Sequence, residues 1–214
     1  MTYPPAPWSL TATLQGSVFL LPGDRVPGCL FAALPEQTRP LWFGGRAAVA
    51  ALVVDYVEPG VLTYRELMLA MLGVHKRRWV VTIGAIWVDS PASQAGGRAL
   101  WAIPKKLGRF ERYVSDRASY SSLSVDDALV AELAAEDGRM LTPTRVSIPL
   151  TTAQRLEGRT RFTRSRIVGP IGRMRPRWRF NPDGPLGCLA GVRPWVSLWM
   201  PGADVTFGVR EGSS

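Results

Sequence analysis

The 214-residue sequence has only two cysteines, Cys29 and Cys188, one histidine, His75, and three lysines among its 26 basic residues. Two cysteines are too few for a disulfide framework or a thiolate zinc site, and a single histidine argues against an imidazole-held metal. No run reaches the ~18 uncharged apolar residues that cross a bilayer as a helix. The start, MTYPPAPW, has no basic region followed by an apolar stretch, so the expectation is a cytoplasmic protein with no membrane partner. Gly-rich phosphate loops, a Ser-centred nucleophile elbow and metal-ligand spacings are missing too, which removes many enzyme classes.

What is present suits one globular domain over residues 1–214: 46% hydrophobic and 20% charged residues give enough apolar material for a core. The 21 glycines and 18 prolines fit many short strands joined by turns. A Pro-rich arm leads into a short apolar strand ending at Pro22-Gly23, and AAVAALVVDYV (47–57) reads as a buried strand stopped by Glu-Pro-Gly. The best helix candidate begins at Thr63-Tyr64-Arg65-Glu66, which fits a capping box, with LMLAML after it and Gly73 to stop it. RWVVTIGAIWVD (78–89) reads as a strand kinked or bulged at Gly84. SVDDALVAELAAEDG fits either a helix begun at Ser124 or a strand pair turning at Asp137-Gly138. TRVSIPL, an Arg-rich strand, WVSLWM and ADVTFGVR complete a β-rich second half. The predicted architecture is mainly β (α+β), a β-barrel or cone with a few helices packed outside.

The net charge of +9 is local. The stretch from Arg155 to Arg179 holds nine arginines and one acid, Glu157, for +8, leaving +1 for the rest of the chain. Arg159 to Val168 alternates as a strand would, and GPIGRMRPRWRFNPDGP after it reads as a turn-rich connection. Cations there suit an exposed edge strand, where they discourage aggregation, better than a nucleic-acid site, since no nucleic-acid motif accompanies them.

Lysine carries more information than arginine. Two of the three lysines, Lys105 and Lys106, stand side by side, and arginine cannot replace lysine where a neutral amine must attack. A free lysine with a pKa near ~10.4 is about 0.04% neutral at pH 7, so a nucleophilic role needs a shift of about 3 units, or roughly 4 kcal/mol against the ammonium. Burial or a nearby second cation would supply it. Adjacent strand residues point to opposite faces, so the two ammonium groups need not lie close.

The segment GGRALWAIPKKLGRF resembles the signature of the acetoacetate decarboxylase superfamily, G-R-x-L-x-x-x-P-K-K-L-G, at Gly97, Arg98, Leu100, Pro104, Lys105, Lys106, Leu107 and Gly108. PGVLTYREL is similar to the family segment that carries an active-site glutamate, which falls on Glu66. The resemblance implies an acetoacetate decarboxylase-like β-barrel or double cone. It implies Lys105 as the Schiff-base lysine, activated as the family's lysine is by a neighbouring cation and desolvation, with Lys106 as that neighbour. Glu66 would handle protons or orient substrate; a helix cap is the bland alternative. Arg98 would bind a substrate carboxylate or hold its loop, and Trp101 would line the pocket. The implied substrate is a keto acid or related carbonyl compound, no metal or organic cofactor is required, and the protein would be a homo-oligomer. The family's early arginine aligns with Thr13 and its further glutamate with Ala51. That leaves decarboxylation beside imine-based aldol, dehydration or cyclisation chemistry. A non-catalytic ligand-binding relative and a nucleic-acid binder using residues 155–179 are the rival classes.

Overall fold

Apolar residues line both faces of the first long strands, and each face meets a different core. The computed structural model describes residues 2–209. Its strands are β1 (Trp8–Pro22), β2 (Thr38–Pro40), β3 (Trp42–Phe43), β4 (Arg46–Val57), β5 (Tyr64–His75), β6 (Arg78–Val88), β7 (Lys105–Leu107) and β8 (Arg109–Val114). They continue as β9 (Ala118–Val125), β10 (Ala128–Met140), β11 (Val146–Leu156), β12 (Arg159–Gly169), β13 (Gly172–Phe180) and β14 (Val196–Phe207). Two helices interrupt them, α1 (Gly28–Ala32) and α2 (Pro91–Trp101).

Seven strands close on themselves in the order β1-β4-β5-β6-β11-β12-β14, with β14 pairing back to β1. The seam between β6 and β11 is parallel and has one backbone bridge, Thr152 to Val81. Side chains seal the rest. Gln154, fully buried, accepts from the Ile83 N–H at 2.6 Å and donates to the Ile83 carbonyl at 3.0 Å, and Thr82 Oγ1 donates to the Ala153 carbonyl at 2.9 Å. Outside the barrel, β13, β10, β9 and β8 extend the sheet beyond β14.

Inward residues such as Trp8, Leu10, Val54, Ile83 and Val205 fill the barrel around a cavity. Outward residues of the same strands, among them Phe19, Val49, Ala51, Leu67 and Leu69, pack against Leu123, Leu133 and Phe180 of the strands that extend the sheet outside the barrel. Burying both faces of β4 and β5 is what makes their sequences continuous apolar runs rather than alternating ones.

That double burial also overturns the helix expected from Thr63. The segment is β5: Leu67 and Leu69 face the strands outside the barrel while Tyr64, Glu66, Met68 and Ala70 face the cavity. Tertiary pairing to β4 and β6 outweighs the helix propensity of Leu, Met, Ala and Glu. SVDDALVAELAAEDG forms a strand pair, turning at Asp126 and Asp127, both with positive φ, and not at Asp137-Gly138. The expected connection GPIGRMRPRWRF is instead β13, with Arg173, Arg175, Arg177 and Arg179 on its exposed face. Arg177 and Arg179 reach Glu136 and Glu132 of β10 at 3.1 and 2.9 Å. Nor is β12 an edge, since it lies between β11 and β14. WVSLWM and ADVTFGVR merge into β14, and Arg210 lies outside the described residues. The bulge at Gly84 is present: the β5–β6 register slips there, and a side chain would strike Leu30 of α1. Among the described residues, no helix is long and apolar enough to cross a membrane.

Candidate active site

Lys105 reaches the cavity through an abrupt change of chain direction. Ser90 caps α2 by accepting the Ser93 N–H at 3.2 Å, and Pro91 opens its first turn. Eleven residues later Ala102 adopts the left-handed conformation (φ 56, ψ 28), its N–H bonding to the Arg98 carbonyl and that of Ile103 to the Gly97 carbonyl. The chain then returns as β7, parallel to β6, with Lys105 opposite Ile86. Strand alternation turns Lys105 inward, 4% exposed, and leaves Lys106 exposed on the opposite face.

The returning lysine lies against α2 at Gly97, where an added Cβ would come within 2.7 Å of Lys105 Cδ. Gly96 is equally tight, 2.5 Å from the Trp8 ring. These two glycines let the helix sit on the barrel wall and on the lysine stem.

Glu66 and Tyr64 share the inner face of β5, and Tyr56 of β4 stands opposite Tyr64, their rings stacked at 4.3 Å. Lys105 Nζ donates to Glu66 Oε2 at 2.8 Å, to Ser93 Oγ at 2.9 Å and to Tyr64 Oη at 3.3 Å. It also sits 4.8 Å from the centre of the Tyr64 ring. Tyr56 Oη lies 3.5 Å from Glu66 Oε1. Three acceptors around one nitrogen match the three protons of an ammonium.

Burial acts to lower the Lys105 pKa, but the Glu66 carboxylate and Tyr64 oppose it, and the net direction is upward. The resting lysine is thus a paired cation, not the depressed, half-neutral amine expected from the sequence. Its cation neighbour is missing as well, because Lys106 faces away. Burial, then Glu66, pushes the Tyr56 phenol well up; burial raises Tyr64 too, so both stay neutral.

The cavity holds about 260 Å³. Lys105, Glu66 and Trp101 all line it, and Trp101 packs edge-on against Trp8 and Phe207 at 4.6 Å each. Arg98 does not line it: half-exposed on α2, it pairs with Glu157 at the β11–β12 turn. Ala51 packs in the second core while its neighbours Ala50 and Leu52 line the cavity, and Leu14 lines it where Thr13 does not. Sequence reasoning missed Tyr56, Tyr64 and Ser93. Period-two reading of the segment as a strand would have placed Tyr64 beside Glu66; nothing local marks Ser93.

The family model described as acetoacetate decarboxylase (ADC) matches residues 29–162, more than half the chain. Among solved structures, the enduracididine biosynthesis enzyme MppR with HEPES bound superposes with a TM-score of 0.71 at 17% identity, covering 98% of this chain and 87% of that one. Acetoacetate decarboxylase from Legionella pneumophila gives 0.71 at 16% identity, covering 96% and 86%. MppR complexed with the condensation product of pyruvate and imidazole 4-carboxaldehyde gives 0.62 at 18%, covering 97% and 86%. At such identities the likeness speaks to the fold. A comparison with curated proteins found no match.

Proposed function

Because this chain belongs to the acetoacetate decarboxylase family, we propose that it is an enzyme whose Lys105 forms an imine with a keto acid or related carbonyl compound, with Glu66 carrying the protons. The observation that carries this reading is a buried amine 2.8 Å from a buried carboxylate in an apolar cavity.

The pair suits each step. Proton transfer from Nζ to Oε2 frees the amine and makes both groups neutral, a change that becomes easier as a bound substrate excludes water from the cavity. The nitrogen lone pair attacks the carbonyl carbon, the C=O pair moves to oxygen, and a proton follows from nitrogen to that oxygen. Protonated Glu66 then returns its proton to the hydroxyl, which leaves as water as the iminium forms. An ammonium–carboxylate pair has become an iminium–carboxylate pair, with no change of charge. Tyr64 and Ser93, both bonded to Nζ, are placed to hold the nitrogen as its protons leave.

The iminium can accept the electron pair of a departing carboxylate, which would make the protein a decarboxylase, or of an adjacent C–H or C–C bond. The second course, aldol or dehydration chemistry, is favoured by the absence of a supporting charge on the cavity wall near the positions expected to carry the family's arginine and glutamate, where Leu14, Ala50 and Leu52 face inward. The condensation product held by a structural neighbour supports it as well. A homo-oligomer in the cytoplasm is part of the same proposal, and light scattering tests the assembly.

The decisive experiment is intact-protein mass after cyanoborohydride reduction with a panel of ketones and keto acids, in parent and Lys105→Arg. An adduct on the parent alone, mapping to Lys105, is the expected result. A folded parent that takes no adduct across the panel would refute imine chemistry and leave a ligand-binding relative.

A further inference from the structure

Among the described residues, the only charged side chains that face the cavity are Lys105 and Glu66, and they neutralise each other. The remaining wall is hydrocarbon: Leu10, Leu52, Val54, Ile83, Ile103 and Val205 are typical of it. A substrate carboxylate placed here would have no cation of its own, because Lys105 is committed to Glu66 and then to the imine. It would also stand near the Glu66 carboxylate. Desolvating an anion without a partner is costly enough to exclude it where a neutral analogue is available. Arg98, the one nearby cation the sequence offered for a carboxylate, is outside and paired with Glu157.

A second observation bears on what the cavity takes. Ser165 on β12 lines it, is 4% exposed, and its Oγ finds no hydrogen-bond partner in the protein. A buried hydroxyl left unpaired is costly, and a ligand oxygen would satisfy it. A neutral hydroxyl suits a neutral carbonyl or alcohol oxygen. The 260 Å³ cavity lies just below the size range of drug-sized ligand pockets, so its ligand is small.

Resting on the imine reading above, we propose that the site takes a small, uncharged, largely hydrocarbon ketone or aldehyde whose second, neutral oxygen bonds to Ser165 Oγ, and that it rejects free carboxylates. Such a substrate has no CO2 to lose. The step after the iminium is then loss of a proton: the Cα–H proton passes to Glu66, the C–H pair becomes the C=C bond of an enamine, and the C=N pair returns to nitrogen. Iminium and carboxylate become a neutral enamine and a neutral acid, a change the apolar wall favours. The enamine carbon is then the nucleophile for bond formation to a second carbonyl.

The test compares three eight-carbon probes, 2-octanone, 7-oxooctanoate and 2,7-octanedione, by the concentration giving half-maximal reductive labelling of Lys105. The expected result is labelling by 2-octanone at concentrations at least about 30-fold below those needed for 7-oxooctanoate. Equal or better labelling by the acid would overturn the substrate class and leave the imine reading intact. Labelling by none of the three would remove the imine reading. Saturable quenching of Trp8 and Trp101 emission by 2-octanone but not by 7-oxooctanoate would then still support the cavity's preference, and its absence would overturn that too. The parent should favour 2,7-octanedione over 2-octanone about 10-fold, and Ser165→Ala should bring the ratio to about two, the statistical factor for two equivalent carbonyls. An unaltered ratio in folded Ser165→Ala would overturn the role of Ser165, while the comparison on the parent stands whatever that variant does.

Discussion

Replacing Gly97 with alanine tests whether the helix positions the lysine. The new methyl would lie 2.7 Å from Lys105 Cδ and 2.9 Å from Cε, against an ordinary carbon–carbon contact near ~3.5–4.0 Å, so something must retreat by about 1 Å. Ser90 caps one end of α2 and Trp101 is wedged between Trp8 and Phe207 at the other, so the lysine stem is the part free to move. Two effects on stability oppose each other. Overpacking costs about 1–3 kcal/mol, while alanine in place of a mid-helix glycine regains about 1 kcal/mol. The net loss is about 0–2 kcal/mol, and the fold survives.

The site is less forgiving, because Nζ must hold its place against Glu66, Ser93 and the incoming carbonyl at once. A displacement of about 1 Å at a reacting atom costs on the order of 100-fold in rate. Single-turnover reductive trapping at fixed ketone concentration, with denaturant unfolding run in parallel, should therefore show a large kinetic loss beside a small stability loss. Gln94→Ala, on the same helix, is the control and should trap at the parent rate. A folded Gly97→Ala that traps within two-fold of the parent would refute the claim that α2 sets the lysine.

The pH dependence of trapping carries a further sign test. In Glu66→Gln the carboxylate that raises the Lys105 pKa is gone and burial is opposed by Tyr64 alone, so the inflection in trapping rate should move to lower pH. The plateau should fall about 100-fold with the loss of the proton carrier. In the parent, Lys105, Tyr56 and Tyr64 all titrate higher in the folded protein than in the unfolded chain. Their contribution is complete below the unfolded values and is lost as pH rises through the folded ones, so denaturant midpoints should fall steeply in strongly alkaline solution. Tyr56→Phe should soften that fall, and a flat profile would contradict it. Arg98→Ala should cost under about 1 kcal/mol, since its partner Glu157 is mostly exposed, and should leave trapping by keto acids unaltered. A rise in the keto-acid concentration needed would return Arg98 to substrate binding.

Strands bounded by strong punctuation were legible in the sequence. β4 ends at Glu-Pro-Gly, β1 ends at Pro22-Gly23, and Gly84 marks a bulge, because turn chemistry and glycine act locally. β5 was not legible. A strand buried on both faces shows no period, and Leu, Met and Ala with a Thr-x-x-Glu start satisfy every local rule for a helix. Only the closed barrel, which gives each side chain of Leu67–Ala70 a core to enter, decides the matter. With the strand misread, Tyr64 could not be placed beside Glu66. The helix α2 was missed for the opposite reason: Gly96 and Gly97 lower its propensity but are needed where it meets Trp8 and Lys105.

The same alternation decides how the lysine is activated. Two adjacent lysines in a sequence suggest one cation depressing the other, but on β7 they must face opposite sides, and Lys106 is exposed while Lys105 is buried. What the fold supplies in its place is a carboxylate on the neighbouring barrel wall. An ammonium held by Glu66, Ser93 and Tyr64 is a poor nucleophile until it gives up a proton, and the one base within 3 Å is the carboxylate that stabilises it. An apolar carbonyl compound entering the cavity displaces any remaining water and tilts that shared proton toward Glu66, because the neutral pair is the form a dry cavity prefers. Activation would then be triggered by the substrate's own apolar surface. On that account the rate of trapping at neutral pH should rise with the length of a neutral ketone until the chain fills the cavity, and fall beyond it. A rate independent of chain length would separate the lysine's reactivity from the cavity that encloses it.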